Sequence, residues 1–170
     1  VATRTTTLRP AAPVPGPGAP AAAPGTLPGA VLFACTHNAL RSPMAAGILR
    51  RYHGTRIFVD SVGVRPHQTD GFMIAVMDEI GVDLSGHHPR SFEELEDENF
   101  DVIVSLSPEA QHKAVDMTRT MHCEVEFWNT FDPSLIKGNR ETRLAAYREV
   151  RDQLEHRILA RFPVPTMGRL

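Results

Sequence analysis

The stretch from Val31 to Pro43 constrains this chain more than any other. Val31-Leu32-Phe33-Ala34 is a short apolar run, the pattern of a strand buried on both faces. Cys35 closes it, Arg41 stands six positions further on, and Ser42-Pro43 opens a helical pattern. Ser is a favoured N-cap and Pro a favoured first helical residue, so Ser42 is expected to cap that helix. A loop joining a strand to a helix N-terminus aims several backbone N–H groups at one point, and the helix dipole adds positive charge there. The loop Thr36, His37, Asn38, Ala39, Leu40, Arg41 and Ser42 therefore reads as a phosphate-binding loop. Arg41 supplies a planar fork that grips two oxygens. Cys35 lies beneath, where such a field favours a nucleophilic thiolate, and the Ser42 hydroxyl can donate to its sulfur. A Cys at a strand end is ordinarily a small buried hydrophobe. Its setting, with a strand before and Ser-Pro after, is what points to chemistry.

Composition narrows the rest. A chain of 170 residues has room for one domain with a sizeable core. A net charge of -2 makes no case for nucleic acid or an anionic membrane as partner. The charge is uneven, because six arginines precede Asp60, the first acid. The inventory of cysteines is short: Cys35 and Cys123, far apart, with no zinc-like spacing and no disulfide framework. No metal or other cofactor is expected, and a reducing, cytoplasmic compartment is the simplest setting. No apolar run approaches the length that spans a bilayer. Residues 1–28 hold seven of the 14 prolines and almost no large apolar groups. They are expected to be a disordered Ala/Pro-rich tail ahead of a domain at 29–170, because such a segment cannot offset its ordering entropy.

Along the domain, residues 42–53 read as a helix stopped by Gly54, and 57–61 as a short strand ending in Asp60-Ser61. A loop at 62–69 leads to a helix at 70–80, ended by Gly81. After an irregular segment, Ser91 and Glu94 form a capping box for a short helix. Residues 100–106 make an apolar strand, Ser107-Pro108 starts another helix, and 125–128 form a fourth strand. The final helix spans about 140–161. Strands alternating with helices predict an α/β domain, a four-stranded parallel sheet with helices on both faces. Ligands of such sheets bind outside the carboxyl ends of the strands. Cys35, Ser61 and the loop after Trp128 would share that rim. Asp132-Pro133 lies in this loop. Asp132 is a candidate general acid and base there, or merely the start of a turn.

The Cys-x5-Arg-Ser-Pro loop after the first strand, the Asp60-Ser61 strand end and the late Asp-Pro loop resemble the low-molecular-weight protein tyrosine phosphatase superfamily. That superfamily also includes thioredoxin-coupled arsenate reductases. The resemblance covers about residues 29–161. It implies Cys35 as nucleophile, Arg41 as phosphate ligand, Ser42 as thiolate stabiliser and Asp132 as acid and base. It also implies a supporting hydrogen-bond network of Asn38, Ser42, Ser61 and His87; for His87 a surface turn histidine is the alternative.

Three departures qualify the resemblance. His37 stands where these phosphatases usually have Gly, Leu40 where they often have a second Cys, and Ser134-Leu135 where aromatics stack on phosphotyrosine. Cys-Thr-His-Asn and Trp128 lean toward the arsenate reductases, yet residues 105–112 lack that branch's redox cysteines. Three functions follow as expectations. The first is a cysteine-dependent phosphomonoester hydrolase acting on phosphoprotein or a small phosphomonoester. The second is arsenate reduction through an external thiol. The third is binding of an oxyanion or phosphoprotein without turnover. In each, inorganic phosphate and arsenate are expected to bind.

Overall fold

Strand β1 (Ala30–Cys35) is buried along its whole length. It pairs on one side with β2 (Phe58–Gly63) and on the other with β3 (Val102–Ser105), which in turn pairs with β4 (Glu124–Phe127). All pairings are parallel and the order is β2-β1-β3-β4. This is the expected four-stranded parallel sheet. The structure is a computed structural model that describes residues 27–96 and 99–165. Of the tail expected at 1–28, all but Leu27 and Pro28 lies outside the described residues; Leu27 packs on the core.

Successive side chains of a strand point to opposite faces, which divides the core in two. Val31, Phe33 and Cys35 face α1 (Arg41–His53), α2 (Gly71–Asp78) and α4 (Arg140–Arg161). Leu32 and Ala34 face α3 (Pro108–Met117) together with Phe92 and Phe100. Helices on both faces explain why β1 carries no polar residue.

Local signals account for most boundaries. Ser107 caps α3, its side chain accepting from the Ala110 N–H, and Pro108 follows at the first helical position. Asn139 caps α4 by accepting from Thr142, and Leu144, Tyr147, Leu154 and Ile158 bury one face at helical spacing. The capping box of Ser91 and Glu94 forms, but the helix it opens is a single 3-10 turn, Phe92–Glu94. Gly54 and Gly81 end their helices at φ 56 and φ 79, the left-handed region that glycine enters freely.

One expectation is corrected. Ser42 does not cap α1: the helix begins at Arg41, and the preceding Leu40 makes no side-chain cap. The Ser42 hydroxyl is engaged elsewhere, with the Cys35 sulfur. Pro43 still costs the helix nothing, because the first four N–H groups of a helix have no partner within it.

The order β2-β1-β3 puts the carboxyl end of β1 at the point where connections leave for opposite sides of the sheet. Open parallel sheets place their ligand crevice there. Cys35 is the last residue of β1.

Candidate active site

The 35–42 loop turns back over the end of β1 so that its amides face the sulfur. The N–H groups of Asn38 and Ser42 both donate to Cys35 Sγ at 3.3 Å, and Ser42 Oγ lies 3.0 Å away. Such a turn requires one residue with positive φ. Asn38 takes that role at φ 52, a conformation Asn tolerates better than most residues. His37 therefore keeps an ordinary φ, and its Cβ does not disturb the loop.

A loop whose N–H groups converge must send its carbonyls outward. Residues 64–70 receive them. The Cys35 carbonyl accepts from Val64 (3.2 Å), Thr36 from Arg65 (2.8 Å), His37 from His67 (3.0 Å) and Ala39 from Asp70 (3.0 Å). The Asn38 carbonyl accepts from His87 Nε2 at 2.8 Å. A carbonyl can only accept, so Nε2 carries the proton. Burial, first of all, pushes the His87 pKa down and favours that neutral ring. Outward carbonyls leave the inner face of the loop electropositive, which suits an oxyanion.

Hydrogen bonds join Asn38 to Ser42, Ser61 and His87. Asn38 Nδ2 donates to Ser42 Oγ (2.8 Å) and to Ser61 Oγ (3.0 Å), while its Oδ1 accepts from the Arg90 N–H (2.9 Å). Every polar group of this buried side chain is thus engaged, which holds the left-handed residue in place. Thr36 Oγ1 donates to Ser107 Oγ at 2.9 Å and ties the loop to α3.

Arg41 is buried, and its Nη1 donates to the Thr130 carbonyl at 2.9 Å. Asp132 Oδ2 stands 3.9 Å from Arg41 Nη2. The other carboxylate oxygen, Oδ1, accepts from the Ser134 N–H (3.0 Å) and hydroxyl (2.7 Å). Asp132 thus starts the turn through Oδ1, while Oδ2 faces Arg41 of the loop. Cys35, Arg41, Asp132, Ser42, Ser61 and His87 are brought together. Ala39 and Leu40 contribute backbone only, their side chains being buried.

Sequence reasoning missed the strap at 64–70, the Arg90 N–H, the Thr130 carbonyl and one aromatic feature of the rim. The His37 and His67 rings stack with centroids 3.9 Å apart and planes within 13°. Burial and the neighbouring His67 and Arg65 push the His37 pKa down. The signal for the strap was slight, since backbone bonds place few demands on side chains. Residues 62–69 hold no Phe, Tyr or Trp, and the ring that stacks there is that of His67.

Cys123 stands apart. It precedes β4, and the register places Glu124 beside Val102 and Val102 beside Val31. Four strand residues separate that level from Cys35, on the order of 13 Å, and Cys123 lies one residue further back. A disulfide needs Cα atoms within about 7 Å. Burial pushes the Cys123 thiol pKa up to about 12, so it is also a poor nucleophile. Among the described residues no group of His, Cys, Asp and Glu could hold a metal ion, and no helix is long and apolar enough to cross a membrane.

The chain has known relatives. A family model described as low molecular weight phosphotyrosine protein phosphatase matches residues 30–161. The arsenate reductase of Bacillus subtilis (strain 168) is 31% identical over 128 residues, covering 75% of this chain and 91% of that protein. The fold is similar to that of an arsenate reductase solved in its phosphate binding state, with a TM-score of 0.66 at 27% identity over 81% of this chain and 99% of that one. A low molecular weight protein tyrosine phosphatase from T. tengcongensis has a like fold, with a TM-score of 0.64 at 23% identity over 76% and 95%. The chain belongs to the low molecular weight phosphotyrosine protein phosphatase family, a superfamily of phosphatases and arsenate reductases.

If Arg41 grips an anion, Arg41→Lys should weaken it, because a point charge cannot reproduce two parallel N–H bonds. Losing one charge-assisted bond, about 1.5–3 kcal/mol, corresponds to roughly tenfold to a hundredfold lower affinity. Titration with inorganic phosphate measures this. Unchanged affinity would mean that Arg41 does not hold the anion.

Proposed function

We propose that this protein is a cysteine-dependent phosphomonoester hydrolase, acting on phosphoprotein (including phosphotyrosine) or a small phosphomonoester through a cysteinyl-phosphate intermediate. The observation that carries the reading is the convergence of the Asn38 N–H, the Ser42 N–H and the Ser42 hydroxyl on Cys35 Sγ, with Arg41 and Asp132 at the same mouth. Both amides donate to the sulfur, and the Ser42 hydroxyl lies within hydrogen-bond reach of it. Arg41 and the inward amides hold the phosphoryl oxygens. The thiolate attacks phosphorus, forming the S–P bond as the P–O bond to the leaving group breaks. The Asp132 carboxyl gives its proton to the departing oxygen. Water then attacks phosphorus, its proton passes to the Asp132 carboxylate, and the S–P bond breaks to free phosphate and the Cys35 thiolate.

A second reading, arsenate reduction, is favoured by the similarity to the Bacillus subtilis arsenate reductase. The first step is shared, with arsenic in place of phosphorus. An external thiol must then attack Cys35 sulfur, pass two electrons to arsenic as arsenite leaves, and form a mixed disulfide that a second thiol reduces. Cys123 is too distant to be that thiol. Binding without turnover remains the reading if both activities are absent. One preparation assayed for aryl phosphate hydrolysis and for thiol-dependent arsenate reduction separates the three. Hydrolysis without arsenite formation is the result expected here.

Asp132→Asn tests the proton donor. A poor leaving group accumulates more negative charge on oxygen and needs the proton more, whereas nitrophenolate departs with little help. General acid–base assistance is worth about 10²–10⁴-fold. The variant should lose about that much on alkyl phosphates and less on nitrophenyl phosphate. Equal dependence on leaving group in both proteins would reduce Asp132 to its turn, and the donor would be sought at His37 and His67.

A further inference from the structure

A cavity of about 280 Å³ lies behind the loop, lined in part by Arg50, Asp60, Ser61, His87, His88 and Arg90. No residue of the 35–42 loop lines it. Its charges do not balance. Arg90 is paired with Asp60. Among the described residues, the one hydrogen bond of the Arg50 guanidinium goes from Nη2 to the Val59 carbonyl at 3.0 Å, and no carboxylate lies within ion-pair distance. A guanidinium carries five donors, and because Arg50 is exposed most of them face solvent at the cavity wall, open to an anion. Desolvation lowers the Arg50 pKa, the nearby Asp60 carboxylate raises it, and the Arg90 charge lowers it again.

The same wall holds the loop. Ser61, His87 and Arg90 bind three different groups of Asn38: its amide nitrogen, its carbonyl and its Oδ1. The Asn38 N–H in turn donates to Cys35 Sγ. Whatever shifts these three residues shifts a donor on the sulfur.

We propose that this cavity is a second anion site, which takes an inorganic tetrahedral dianion such as phosphate on Arg50 and is coupled to Cys35 through Asn38. Phosphate fits the volume with room for its water, and Arg50 and His88 both line the wall it would face. The site is separate from the reaction proposed above, and its test reads binding and thiol reactivity rather than turnover.

Calorimetric titration with inorganic phosphate should find two sites in the full chain. Arg41→Ala, which disables the loop, should leave one; Arg50→Met should leave the other, and the double variant none. His88→Glu, at an exposed position, places a negative charge in the cavity and should remove the same site as Arg50→Met without relying on a change in α1. In Arg41→Ala, phosphate should change the rate of Cys35 alkylation by iodoacetamide about fivefold or more, a coupling of ordinary size. With Arg50→Met added, phosphate should change nothing. One site in the full chain, or two that survive both Arg50→Met and His88→Glu, would overturn the proposal. An alkylation rate in Arg41→Ala indifferent to bound phosphate would overturn the coupling.

Discussion

Cys35→Ser is expected to reduce turnover of every oxyanion substrate by about 10⁴-fold or more, the scale of loss when a covalent nucleophile is removed. The hydroxyl is nearly the shape of the thiol but stays protonated near neutrality, so it cannot start the displacement. Phosphate affinity should hardly change, because the donors of the loop are backbone amides and Arg41. The Asn38 and Ser42 amides, 3.3 Å from the sulfur, remain where they are. Steady-state assays with phosphate titration check both halves. Loss of binding together with activity would mean that the loop had collapsed; full activity would remove Cys35 from the mechanism.

Gly63→Ala should have an effect nearly as large from a residue that touches no substrate. Gly63 ends β2 beside Cys35 and lies under the loop. A Cβ there would come within 2.6 Å of the Asn38 nitrogen and 2.8 Å of the His37 carbonyl carbon, both backbone. Backbone cannot swing aside as a side-chain tip does. Overpacking of this kind costs about 1–3 kcal/mol of stability. The functional loss is larger, because misplacing reacting groups by 1 Å costs about 10²-fold. Thermal unfolding and turnover measured together should show a modest fall in melting temperature and a fall of about two orders of magnitude in rate. Both unchanged would mean that the loop is not held against Gly63.

Much of this arrangement can be read from residue order alone, for identifiable reasons. The uninterrupted apolar run of β1 signals burial on two faces, and strands alternating with capped helices signal a parallel sheet. Ser107-Pro108 and Ser91 with Glu94 are caps whose chemistry is local, so they formed as expected. Ser42 misled as a cap because two partners compete for its hydroxyl. The vacant amides of α1 lost to the sulfur and to Asn38 Nδ2, which only the fold brings near. The 64–70 strap was invisible because backbone bonds place little demand on side chains, and the spatial neighbour of Gly63, just before it, cannot be known in advance. The His37–His67 stack joins residues thirty apart through the same strap. Asp132 was ambiguous in sequence because one of its oxygens starts the turn while the other faces Arg41, a neighbour that only the fold supplies.

The central claim is that Cys35 takes the phosphoryl group. Asp132→Asn should slow release of the intermediate, so this variant can be mixed with an aryl phosphate, quenched and examined by ³¹P NMR and peptide mass spectrometry. The account predicts a thiophosphate resonance and a phosphorylated peptide that contains Cys35, both absent from Cys35→Ser. Phosphate found instead on His37, or turnover continuing with Cys35 never phosphorylated, would contradict it.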